Sequence, residues 1–118
     1  MKYALLITGD ESVMNREPPP GGAPISPEFV AYTEALIKAG VLKGGERLKS
    51  TRSARRVRVR DGKAVVLDGP YADTGEQLGG FFIIDVPTEA DALAWAERCP
   101  AAKEGTVEVR AIGASSPV

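Results

Sequence analysis

Asp61 and Gly62 constrain the fold of this 118-residue chain more than any other pair of residues. Ahead of them Arg56-Val57-Arg58-Val59-Arg60 alternates strictly, and behind them runs Ala64-Val65-Val66-Leu67-Asp68. Asp-Gly between two strand-like runs signals a hairpin, because the tight two-residue turn needs positive φ at both central positions. Arg60 then faces Lys63, and counting back pairs Val59 with Ala64, Val57 with Val66 and Arg55 with Asp68. Paired residues share a face of the sheet. Asp68 should therefore lie on the apolar side with Val57 and Val66, with Arg55 opposite it as a compensating guanidinium. Arg56, Arg58 and Arg60 take the other face. A slip of one residue would invert the assignment.

The rest of the chain reads around this hairpin. Residues 2–8 form a short apolar run ended by Gly9, the pattern of a buried strand. Residues 9–25 contain Glu17-Pro18-Pro19-Pro20-Gly21-Gly22-Ala23-Pro24, which cannot be regular structure. A connection this long in a compact domain is either a functional lid or simply mobile. Ser26-Pro27-Glu28 starts a helix, with Phe29, Thr33, Leu36 and Ile37 on its apolar face and Gly40 at its end. Residues 41–48 form a strand interrupted by Gly44 and Gly45, which marks a bulge or the close approach of a backbone or ligand. Residues 68–80 read as a polar, glycine-rich connection and Phe81–Val86 as a central strand. Thr88 caps a second helix with Asp91, and Ala90, Leu93, Ala94 and Glu97 form its inner face, with Trp95 turned partly away. Cys99-Pro100 ends it, and residues 106–111 are the last strand.

This order predicts a single domain over residues 1–118. The fold is α+β, a ferredoxin-like sandwich with a mostly antiparallel sheet and two main helices on one face. The other face stays uncovered and carries aliphatic residues, so a homodimer is expected.

Composition narrows the chemistry. The chain has no histidine, which removes imidazole acid–base catalysis, Ser-His-Asp and Cys-His arrangements and most zinc sites. One cysteine can form neither an internal disulfide nor a metal cluster. No metal and no cofactor are expected. Fifteen cations against sixteen carboxylates give no global attraction to nucleic acid or anionic membrane. The arginine run, Arg52 to Arg60, lacks interleaved aromatics and reads as a solvated edge or dimer rim. The N-terminal run is too short for a secretory signal, and no segment approaches the roughly 20 apolar residues of a membrane span. The expectation is a cytoplasmic protein, and the lone Cys99 fits a reducing compartment. That thiol ends a helix, where the dipole opposes a thiolate.

Carboxylates are what remain. Asp68 is the first candidate for a catalytic base, since a desolvated carboxyl rises toward neutrality, while an Arg55 partner holds it ionised. Asp68-Gly69-Pro70 is also good turn chemistry, which leaves a structural role open. Glu46, after Gly44 and Gly45, is the second candidate, against the plain reading of a bulge with a solvated acid. The candidate ligand-binding residues are Tyr71, a hydroxyl donor, Glu76 and Arg55.

At Asp68-Gly69-Pro70-Tyr71 the chain resembles the YCII-related family, in its DGPF branch. The resemblance runs from Lys2-Tyr3-Ala4-Leu5-Leu6-Ile7 through Ala39-Gly40-Val41, Gly45-Glu46, Val57-Arg58-Val59 and Asp61-Gly62. It continues through Glu76-Gln77-Leu78-Gly79-Gly80 and Ala92-Leu93-Ala94-Trp95-Ala96 to Val107-Glu108-Val109-Arg110. It implies a ferredoxin-like fold in a dimeric α/β-barrel assembly, and an association of some members with sigma factors. Other branches are described with a His–Asp pair, which this chain cannot supply. Tyr71 stands where the branch name has Phe, and Gly75 where a Lys is expected. Three functions stay open. One is an enzyme of lyase or isomerase type that abstracts a proton from a small organic substrate. The second is a non-catalytic ligand-binding or regulatory module, and the third is a structural dimeriser.

Overall fold

The computed structural model of the chain describes residues 1–11, 26–70 and 75–113. The elements are β1 (Lys2–Gly9), α1 (Pro27–Lys38), β2 (Leu42–Arg47), β3 (Arg55–Arg60), β4 (Lys63–Asp68), β5 (Gln77–Asp85), α2 (Glu89–Arg98) and β6 (Thr106–Ala111). Four strands form one sheet in the order β2-β5-β1-β6, and every neighbouring pair is antiparallel. β3 and β4 form a separate two-stranded sheet. The architecture is therefore α+β with antiparallel sheets. α1 carries the chain from β1 past β5 to β2, and α2 carries it from β5 past β1 to β6.

Local chemistry accounts for the element ends. The Ser26 hydroxyl accepts from the Phe29 N–H, and Pro27 occupies the first turn, where an absent N–H costs nothing. Gly40 leaves α1 at φ +74°, a conformation a side chain resists. At α2 both halves of the Thr88–Asp91 capping box are made. Asp61 and Gly62 adopt φ +52° and +74°, the turn that the Asp-Gly pair demands. The ladder that follows pairs Arg55 with Asp68, Val57 with Val66 and Val59 with Ala64, in the register counted from the sequence.

The core lies between the four-stranded sheet and both helices. Tyr3, Leu5 and Ile7 alternate inward along β1 and join Ile84, Val86, Tyr32, Leu36, Ala92, Ala96 and Cys99. The helix faces differ in part from those read off the sequence. α1 buries Tyr32 with Leu36 and leaves Ile37 exposed. α2 turns Ala92 and Ala96 inward, so Leu93 is 52% exposed. Its inner row, 92-96-99, is built of small residues and lets the helix sit close to the sheet, with Trp95 packed at the margin. Tyr32 donates to the Trp95 carbonyl at 2.6 Å and meets the rings of Phe82 and Trp95 edge-on, which ties α1 to α2 and to β5. β5 starts at Gln77, so Gly79 and Gly80, expected in the preceding connection, belong to the strand. The pairing of β5 with β1 shifts between Ile7 and Thr8, and leaves Gly79 as the extra residue.

Burial pushes the Tyr32 hydroxyl upward, and the neighbouring Cys99 charge adds to it against an opposing effect of Arg98. Burial likewise pushes the Cys99 thiol up, against a lowering hydrogen bond from the Ala101 backbone. The folded state holds both groups neutral, whereas the unfolded chain ionises its thiol near pH ~8.5. Stability from this source is complete below that pH and is lost progressively as pH rises from there through the raised pKa of the folded thiol. Thermal melts from neutral to alkaline pH should show this loss, and Cys99→Ala should move its onset up toward the tyrosine range. An onset unmoved by Cys99→Ala would exclude the thiol as its source.

Candidate functional site: the cleft between α1 and β2

β2 is an edge strand, and its pairing with β5 shifts between Leu42 and Gly44. Lys43 is the extra residue at this bulge, a device that re-aims a side chain. At Gly45 the two strands approach so closely that a Cβ would stand 2.8 Å from the Phe81 carbonyl oxygen and 3.1 Å from Phe82 Cδ1. The glycines leave an open cleft of about 340 Å³, lined by Thr33, Leu42, Lys43, Gly44, Gly45 and Phe82. Leu42 and Phe82 supply apolar lining, and Tyr32 holds the Phe82 ring edge-on at 5.6 Å. Thr33 and Lys43 add polar residues to the lining, and the Lys43 charge also acts on the Asp85 carboxylate of β5. Among the described residues no carboxylate lines the cleft. The described lining thus combines apolar side chains with two polar residues.

Arg55, Asp68, Glu46 and Glu76, the described candidates from the sequence, are not in that lining. Arg55 and Asp68 meet across the β3–β4 ladder, Nε to Oδ1 3.7 Å, with side chains 73% and 92% exposed. An ion pair so open to water contributes little stability. Glu46 pairs with Phe81, and Phe81 with Leu6, which places Glu46 on the sheet face away from the helices. Glu46 and Asp68 stand on different sheets and share no hydrogen bond. Glu76 is exposed just ahead of β5. Tyr71 lies outside the described residues, as do residues 12–25 of the segment read as lid or mobile loop. Among the described residues no group of three or more His, Cys, Asp or Glu could hold a metal. No described helix is long and apolar enough to cross a membrane.

Sequence reasoning flagged Gly44 and Gly45 but missed Lys43, Thr33 and Phe82 as a set. The glycine pair was the available signal for Lys43 beside it. Thr33 and Phe82 carry no such signal, because only packing brings α1 and β5 to the same cleft.

Among the described residues two apolar surfaces are left uncovered. On the sheet face away from the helices, Ala4 and Leu6 of β1 lie beside Phe81 and Ile83 of β5, all half-buried. On the β3–β4 ribbon, Val57, Val59 and Val66 share one face with Ala64 and are 65%, 62% and 57% exposed. The sequence placed these valines on an apolar face, but no described part of the protomer buries that face. The ribbon forms its own sheet because β2 pairs directly with β5, which leaves the segment between them outside the main ladder.

The sequence pattern of the YCII-related domain family matches residues 1–114. An uncharacterized protein of Rhizobium meliloti (strain 1021) is 34% identical over 119 residues, covering 99% of this chain and 96% of its own length.

Proposed function

We propose that this chain, which belongs to the YCII-related family, is a homodimeric binding protein for a small organic anion, taken up in the α1–β2 cleft. One observation carries the reading: the β2 bulge sets Lys43 at a cleft lined by Leu42 and Phe82, with the Thr33 hydroxyl beside them. An ammonium and a hydroxyl fix a carboxylate, while the apolar lining takes a short hydrocarbon body. A volume of about 340 Å³ fits a ligand of few heavy atoms. We read the strand order as ferredoxin-like, with the β3–β4 ribbon inserted between its second and third strands. We take Asp68-Gly69-Pro70 as the mark of the DGPF branch. The homodimer is read from the uncovered sheet face around Leu6, Phe81 and Ile83, and a cytoplasmic location from the buried free thiol of Cys99.

The Arg55–Asp68 pair favours a second reading. In it Asp68 takes a proton from the bound substrate in an elimination or isomerisation, with Glu46 as a further carboxylate and Arg55, Tyr71 and Glu76 as ligand contacts. A regulatory module working with a sigma factor would use the same cleft without turnover.

Titration calorimetry with benzoate and short aliphatic carboxylates tests the first reading. Lys43→Gln should weaken binding by about tenfold or more, the size expected for losing a charge-assisted hydrogen bond. Asp68→Asn should bind as wild type does. Equal binding by wild type and Lys43→Gln would remove the cleft from the site. Turnover of a bound carboxylate that Asp68→Asn abolishes while still binding it would establish the enzymatic reading.

A further inference from the structure

We infer that the β3–β4 ribbon is an exchange arm: in the dimer, each protomer lays the valine face of its ribbon on the body of the other. The inference rests on the homodimer reading above and adds to it which element crosses between the chains.

The ribbon is rooted firmly. The Glu11 carboxylate accepts from the Thr51 N–H at 2.8 Å and from the Thr51 hydroxyl at 2.6 Å. Ser50 caps the turn Thr51–Ser53 that leads into β3, and the Gly69 N–H donates to the Ala54 carbonyl across the root. The arm is thus a defined surface. Its face of Val57, Val59, Ala64 and Val66 ends on the Arg55–Asp68 pair and is covered by nothing described in its own chain. A two-stranded ribbon is marginal by itself in water, and an open apolar face invites association unless something seats on it.

Charge says which part of a second copy the arm meets. Residues 55–68 carry five cations (Arg55, Arg56, Arg58, Arg60 and Lys63) against Asp61 and Asp68. The rest of the chain carries ten cations against fourteen carboxylates. Two arms repel each other, whereas an arm and a body attract. The body also offers the complementary apolar surface, the helix-free sheet face with Leu6, Phe81 and Ile83, bordered by Glu46. A nucleic acid would satisfy the arginines but would leave the valine row in water, and the ribbon has no aromatic side chain on which a base could stack. The second copy is the occupant that covers the valine row and is drawn to the arm by charge. One consequence follows for the site: Arg55 and Asp68, at the root of the arm, come to the interface between chains. A site that includes them draws on both protomers.

The test uses the full chain in two independent measurements. In the first, ¹⁴N and ¹⁵N protein are mixed and cross-linked with an amine-reactive reagent. Lys63, near the tip of the arm, should form links to lysines of the body in peptide pairs of mixed isotope. In the second, sedimentation equilibrium compares wild type with the variant Val57→Ser, Val59→Ser, Val66→Ser. The substituted side chains face solvent in the protomer, so circular dichroism should be unchanged while the dimer dissociation constant rises about tenfold or more. A dimer of wild-type strength in the variant, with Lys63 linked only within its own chain, overturns the exchange arm and leaves the homodimer standing. A wild-type protein monomeric at every concentration overturns both. Binding of duplex DNA that is lost in Arg58→Glu, Arg60→Glu but kept in the valine variant assigns the arm to nucleic acid and overturns the inference.

Discussion

Leu5→Ala should lower the stability of the protein by about 2–5 kcal/mol, the range for truncating a fully buried aliphatic side chain. Leu5 is 0% exposed, in the central strand β1, between the two strands that flank it and beneath both helices. Its removal costs the transfer energy of the lost methyl groups and leaves a cavity that neighbours on both sides of the strand cannot fill. Leu93→Ala is the paired control. Leu93 reads from the sequence as part of the inner face of α2, but it is 52% exposed, so its truncation should change stability by no more than about 0.5 kcal/mol. Urea unfolding of the two variants checks both the core and the rotation of α2. Equal losses would mean that α2 buries the face carrying Leu93.

Gly80→Ala should destabilise by about 1–3 kcal/mol, the cost of forcing extra volume into a packed position. A Cβ at Gly80 would stand 2.8 Å from the Glu46 carbonyl oxygen and 3.4 Å from the Arg47 Cα. Both neighbours are backbone and cannot swing aside. Gly45 is in the reciprocal position, 2.8 Å from the Phe81 carbonyl oxygen, and Gly45→Ala should cost a similar amount and crowd the cleft. Gly44 differs from both. Its Cβ would meet only the Ile83 side chain, at 3.8 Å, an ordinary van der Waals contact. Gly44→Ala should be neutral or slightly stabilising, because alanine loses less backbone freedom on folding. Three single variants in one denaturation series decide this, and a Gly44→Ala as damaging as Gly80→Ala would refute the strand contact as the cause.

What the sequence made legible follows from interactions that span a few residues. The Asp61-Gly62 turn sets the hairpin register because its φ angles suit few residue pairs and the ladder then follows by counting. Ser26-Pro27 and Thr88 with Asp91 mark helix starts because a cap bonds its own first turn. The alternation of β1 shows its inward residues because a strand repeats every two. In α2 the same reasoning fails. Small apolar residues at 90, 92, 94 and 96 give no unique stripe, so rotation about the helix axis is left to packing, and Ala92 and Ala96 win by allowing the closest approach to the sheet.

The candidate site divides along the same line. The Arg55–Asp68 pairing and the glycine pair that marks β2 are legible in the residues alone, and the absence of histidine leaves any acid–base chemistry to other groups. That the ribbon leaves the main sheet and that its valines are exposed emerges only when the strands are assembled. The same assembly puts Glu46 across the sheet from the cleft and brings Lys43, Thr33 and Phe82 together in its lining. The physical reason is range. Turn strain, capping and alternation act within one segment, whereas the choice of which strand pairs with which, and which face a helix covers, is made by burial summed over the whole chain.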